Sequence, residues 1–123
     1  MVESENFYRN IFASLVDGIL IISADLRVTK VNQAAEEIFQ RSRRSFEGES
    51  LSKLFPDQSN IIKKARQSIT EGISFHHVEG IGYHKSNNGR FPVNLTFSPL
   101  IKDDLEITAG VILIQDTSLL KEL

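Results

Sequence analysis

Apolar residues recur along the chain in two rhythms, and the change of rhythm divides it. Over residues 4–16, Phe7, Ile11, Phe12 and Leu15 fall at helical spacing with Arg9, Asn10 and Ser14 between them. Ser4 can cap the start of this helix, and Glu5 suits the positive end of its dipole. Asp17-Gly18 stops it, and residues 19–22 are a continuous apolar run that predicts a strand buried on both faces. Residues 24–27 read as a turn, because Asp25 can bond its own backbone two residues on. Residues 27–31 then alternate, closing a hairpin. Asn32 is a good N-cap for a helix with Ala35, Ile38 and Phe39 on one side.

Residues 41–60 read as short helical turns: Ser45-Phe46-Glu47-Gly48, then Leu51, Leu54 and Phe55, interrupted by Pro56. A regular helix over 61–71 turns Ile62, Ala65 and Ile69 inward and ends at Gly72. Strands are predicted over 74–84, 91–100 and 107–115, joined by turns at 85–89, on Asn87-Asn88-Gly89, and at 102–106. Two strands, clustered helices and three strands make an α+β chain with a five-stranded antiparallel sheet. Residues 1–17 form an N-terminal capping helix, 18–116 the core and 117–123 the start of an exit helix.

Composition narrows the function more than it names one. The 123 residues suffice for one domain and its core. Hydrophobic residues at 41% and charged residues at 24% exclude disordered and fibrous classes. With 14 Lys and Arg against 16 Asp and Glu, no cationic excess points to nucleic acid. The absence of cysteine removes disulfides, thiolate metal sites and thiol nucleophiles together. The apolar run at 18–22 is too short to span a bilayer, and the N-terminus lacks a signal-peptide pattern. The expectation is a small soluble intracellular domain without direct membrane contact.

Several strings, in order, resemble a PAS domain. Asp17-Gly18-Ile19-Leu20, the turn Asp25-Leu26-Arg27-Val28, and Val31-Asn32-Gln33-Ala34-Ala35-Glu36 are similar to its opening. Phe46-Glu47-Gly48-Glu49-Ser50 with Leu54-Phe55 looks like its middle segment. Asn88-Gly89-Arg90-Phe91-Pro92-Val93 and Ser98-Pro99-Leu100 resemble its late hairpin, and Asp116-Thr117-Ser118 its closing Asp-Ile-Thr. Gln33, Gln40 and Thr117 depart from the usual Pro, Gly and Ile; Gln40 bears on how sharply the first core helix ends. The resemblance implies strand order 2-1-5-4-3, helices across one face, and ligands, where present, between helices and sheet. Its nearest flavour is the cytoplasmic PAS sensor of bacterial nitrogen-regulation-type histidine kinases. Such a domain is not itself an enzyme. Leu119, Leu120 and Leu123 with Lys121 and Glu122 begin an amphipathic helix with nothing to pack on, so the chain reads as a fragment cut before its effector. Transcription activators and cyclic-nucleotide enzymes carry similar modules and remain alternatives.

The same comparison supplies candidate sites. Leu51 stands where light-sensing relatives carry the cysteine that bonds flavin, and Ile114 where they carry a glutamine reading the ring. The helix matching the one that supplies haem its axial histidine has none. No flavin, haem or metal is therefore expected. The implied ligand pocket is lined by Leu20, Ile22, Phe39, Val78, Gly80, Gly82, Val93, Leu95, Phe97, Ile112 and Ile114, with His76 as a polar candidate. It is either a filled core or a cavity for a small apolar metabolite, with the two glycines leaving space or admitting a helix. His76 and His77, as strand neighbours, should face opposite ways. Ile81, Tyr83, Val111 and Leu113 would lie on the outer sheet face, covered by Phe7, Ile11, Phe12 and Leu15 of the same chain or of a partner; the resemblance implies that this helix forms a symmetric homodimer, though intrachain packing explains the stripe too. Asp116, Thr117 and Ser118 would carry the output, Asp116 capping the exit helix.

Enzymatic alternatives find little support. Asp103-Asp104 and Glu36-Glu37 read as solvated pairs, and Gly80-Ile81-Gly82 lies within a strand with no phosphate-loop context. Ser14, His84 and Asp103 share no spacing that predicts proximity. Glu79, the sole acid near an apolar strand face, is placed outward. A small α+β barrel enzyme is the remote rival.

Overall fold

The apolar run after Asp17 becomes β1 (Gly18–Ser23) in the computed structural model, which describes residues 17–87, 89–102 and 104–118. The predicted N-terminal helix, with Phe7, Ile11, Phe12 and Leu15, lies outside the described residues. β1 is not buried on both faces. Gly18, Leu20 and Ile22 are buried, whereas Ile19, Ile21 and Ser23 are half-buried, so the run alternates like any strand with one core face. An unbroken apolar stretch cannot show that difference, because both faces carry Ile.

The turn to β2 (Val28–Val31) closes with Ser23 N–H donating to the Arg27 carbonyl at 2.9 Å, and Leu26 takes a left-handed φ of 60°. The Asp25 carboxylate accepts the Ser23 hydroxyl rather than a backbone N–H two residues on. Asn32 then caps α1 (Gln33–Phe39): its Oδ1 accepts Ala35 N–H at 2.9 Å and also Ile19 N–H at 2.9 Å, while its Nδ2 donates to the Asp17 carbonyl at 3.3 Å. One side chain thus starts a helix and fastens it to β1.

α1 ends sharply despite the missing glycine. Gln40 adopts φ 51°, its N–H reaches the Glu37 carbonyl, and Arg41 N–H reaches the Glu36 carbonyl at 2.9 Å. That pair of bonds is a Schellman ending formed on a residue that tolerates the left-handed region at some cost. Short turns α2 (Arg43–Phe46) and α3 (Leu51–Leu54) follow, capped by Ser42 and Ser50. α4 (Ser59–Glu71) lays Ile61, Ala65, Ser68 and Ile69 on the sheet and stops at Gly72, φ 69°.

β3 (Phe75–Tyr83), β4 (Arg90–Ile101) and β5 (Ile107–Asp116) complete a five-stranded antiparallel sheet in the order β2-β1-β5-β4-β3. The core lies between its inner face and the helices, with Phe39 at the centre of edge-on contacts to Phe46, Phe55 and Phe91 at 5.7, 6.0 and 5.6 Å. Both sheet edges are met. Along β2, Val28 N–H donates to the Glu49 carbonyl at 2.9 Å and Gly48 N–H to the Val28 carbonyl at 2.8 Å. At β3 the Gln58 amide takes the rung, accepting Ile81 N–H at 2.7 Å and donating to the Ile81 carbonyl at 2.8 Å.

Candidate functional site

Strand alternation, and for Phe39 the inward side of α1, carries the predicted interior set to the core between helices and sheet. Leu20, Ile22, Phe39, Val78, Val93, Leu95, Phe97, Ile112 and Ile114 are all buried there. The two glycines admit neighbours rather than leaving space. A Cβ on Gly80 would sit 2.6 Å from Ile61 Cδ1, and one on Gly82 would sit 2.5 Å from the Phe91 ring. Helix α4 therefore approaches β3 through Gly80, and an aromatic ring fills the room beside Gly82. Leu51 and Ile114 are both fully buried in this packing.

His76 is not part of it. Phe75 pairs with Phe97 and Val78 with Leu95, so three steps on β3 match two on β4. This bulge, with His77 at φ 56°, leaves His76 and His77 both exposed instead of facing opposite ways. A one-residue bulge resets the alternation, and nothing in the string Phe75-His76-His77-Val78 announces it.

On the outer face the predicted apolar set divides in two. Val111 and Leu113 pair with Ile21 and Ile19 of β1, giving a four-residue apolar patch in which Leu113 is 37% exposed. Ile81 and Tyr83 lie opposite Pro92 and Arg90 instead, with the Arg90 guanidinium 5.9 Å from the Tyr83 ring centre. Leu113 lies opposite Thr96, four residues along β4 from Pro92, a separation of about 13 Å. Between them runs a groove of about 500 Å³ bordered by His77, Glu79, Ile81, Asn94 and Thr117. There Asn94 Nδ2 stands 3.4 Å from His77 Nδ1, while its buried Oδ1 has no partner among the described residues. Glu79 is exposed, as expected.

The segment that follows β5 is held at two points. Thr117 N–H donates to the Pro92 carbonyl at 3.1 Å, extending the β4–β5 ladder. Asp116 Oδ1 accepts Ser118 N–H at 2.9 Å and the Ser118 hydroxyl at 2.6 Å. Residues 119–123 lie outside the described residues.

A polar pocket of about 440 Å³ escapes sequence reasoning, because its walls come from two stretches distant in sequence: Arg41, Glu49, Ser52, Lys53, Leu54 and Pro56 from one, and Tyr83, His84 and Lys85 from the other. Arg41 Nη2 meets Glu49 Oε2 at 2.9 Å, and Lys53 Nζ lies 3.8 Å from Glu49 Oε1. Among the described residues no three His, Asp or Glu side chains gather to hold a metal ion, and no helix is long and apolar enough to cross a membrane. Ser14 and Asp103 lie outside the described residues.

A family model described as PAS domain matches residues 16–118. The PAS domain of a protein from Colwellia psychrerythraea superposes with a TM-score of 0.76 at 14% identity, covering 93% of this chain and 97% of that one. The light-state dimer of the fungal blue-light photoreceptor Vivid superposes with a TM-score of 0.69 at 18% identity, covering 82% of this chain and 78% of that one. Among curated proteins, none matches. At these identities the two structures speak for the fold.

Proposed function

The chain belongs to the PAS domain family, and from that premise we propose that it is a sensory relay module regulating an attached effector, a bacterial two-component histidine kinase in the first place, in the cytoplasm. The observation that carries this reading is the course of β5. Its Ile112 and Ile114 are fully buried in the core, it runs between β1 and β4, and it ends in the bonded set Asp116, Thr117 and Ser118. A displacement of the core side chains would move β5, and β5 would turn whatever follows Ser118. Fold and family do not make catalysis part of this role; the domain transmits, and the chemistry belongs to the effector.

Asp116→Ala in the full-length protein tests it. Loss of the carboxylate cap should cost about 1 kcal/mol of stability, leaving the domain folded. Stimulus-dependent autophosphorylation should be uncoupled, fixed at one level. Normally regulated activity in that variant would reduce Asp116 to a cap alone.

We further propose that the domain works without flavin or haem. Leu51 has no thiol to offer, Ile114 no amide, α4 no histidine, and the space over the glycines is taken by Ile61 and Phe91. Freshly purified protein should show no visible absorption. A Soret band or a flavin doublet would overturn that assignment. A small apolar metabolite would have to displace these side chains to enter.

A further inference from the structure

The pocket walled by Arg41, Lys53 and Lys85 carries more positive charge than its fold requires. Three cations and one carboxylate, Glu49, line it, so Arg, Lys and Glu alone leave a surplus of two formal charges. Arg41 is fixed before any ligand arrives. Its Nε donates to Ser45 Oγ at 2.8 Å, and its Nη2 donates to the Ser45 carbonyl at 3.1 Å and to Glu49 Oε2 at 2.9 Å. Its side chain is only 10% exposed, and its Cζ lies 5.2 Å from the Phe46 ring centre. Nη1 donates to no protein atom among the described residues, which leaves two N–H groups of a rigid guanidinium for a ligand. Lys53 is clipped to the other oxygen of the same Glu49, so both cations are gathered on one side of the pocket.

We propose that this pocket binds the phosphoryl group of a small phosphorylated metabolite. Two surplus charges of one sign in a cleft match a dianion and raise its local concentration there. Arg41 and Lys53 meet on Glu49 and Lys85 lines the same pocket, a grouping that suits charge held on one tetrahedral group better than charge divided between the ends of a dicarboxylate. Leu54, Pro56 and Tyr83 supply apolar surface for the body of the molecule, and about 440 Å³ is the size of a small-molecule site.

The pocket also touches the core. His84 stacks on Phe91 at 4.6 Å, Lys85 N–H donates to the Phe39 carbonyl at 2.9 Å, and Arg41 covers Phe46. These are the rings that meet at the centre of the fold. Occupancy would therefore be felt between helices and sheet without any ligand entering there. The binding claim itself is independent of which effector the domain regulates.

Amide chemical shifts of the 123-residue chain, followed during titration with phenyl phosphate at constant ionic strength, test the proposal. Saturable changes centred on Arg41, Glu49, Lys53, His84 and Lys85 are expected, with a dissociation constant of about 1 mM or tighter. Lys53→Gln with Lys85→Gln should weaken binding about tenfold or more, while Lys53→Arg should retain it. Glu49→Gln, which removes the competing carboxylate, should tighten it. Both lysines are exposed, and the spectra of the variants report directly on their folding. Absence of saturation, equal affinity for succinate, or unchanged affinity in the double lysine variant would each overturn the phosphoryl site.

Discussion

Asn32 shows how much of this fold rests on single polar side chains. Its amide serves Ile19 N–H, Ala35 N–H and the Asp17 carbonyl at once. Asn32→Ala should therefore cost about 2 kcal/mol, the upper end for an N-cap, read as a lower urea midpoint with unchanged slope. Asn32→Asp keeps the accepting oxygen and loses only the donor to Asp17, so it should cost less. The cap was legible in the sequence, as was Gly72, since asparagine and glycine signal their positions by chemistry. Gln40 and His77 were not. Both occupy left-handed backbone, yet neither is a glycine or asparagine, the types that signal it most directly. His77→Gly should hold or raise stability, whereas His77→Val should lower it by about 1–2 kcal/mol, because a β-branched residue resists that conformation. Thermal melts of the two variants distinguish the cases.

Among the elements, the contact of α4 with β3 is decided by an absence of atoms. Gly80→Ala places a methyl 2.6 Å from Ile61 Cδ1, and overpacking of this kind costs about 1–3 kcal/mol. Ile61→Val deletes that Cδ1. The double variant should recover much of the loss, and a coupling energy near zero in the double-mutant cycle would refute the contact. Element types and order followed from periodicity, because 3.6- and 2-residue rhythms are written directly in the positions of Ala35, Ile69, Leu95 and Ile114. What periodicity could not supply was the face of an all-apolar strand, as at Ile19 and Ile21, or a bulge such as the one at His76 and His77. Both depend on pairing with a neighbour distant in sequence.

For the molecule as a whole, Ile19, Ile21, Val111 and Leu113 form an apolar patch on the outer sheet face, and we propose that a second copy covers it. We expect wild-type protein to dimerise and Leu113→Lys to shift it toward monomer in sedimentation, with little loss of stability because Leu113 is already 37% exposed. The inner set was readable in the sequence, since a sheet buried on one face must alternate. The Arg41 pocket was not, because its cations meet only after the chain has folded. The Gln58 amide on β3 has its own consequence. Gln58 stands at the N-cap of α4, yet its side chain makes no cap bond and is spent on Ile81 instead. The first turn of α4 and the middle of an edge strand are thereby made one cooperative unit. In hydrogen exchange, the Ile81 amide should be protected like an interior rung, though among the described residues no strand lies on the side it points to, and should open whenever the start of α4 unwinds. The same amide denies that rung to a strand from another molecule, so a helix N-terminus guards the monomer against growing its sheet.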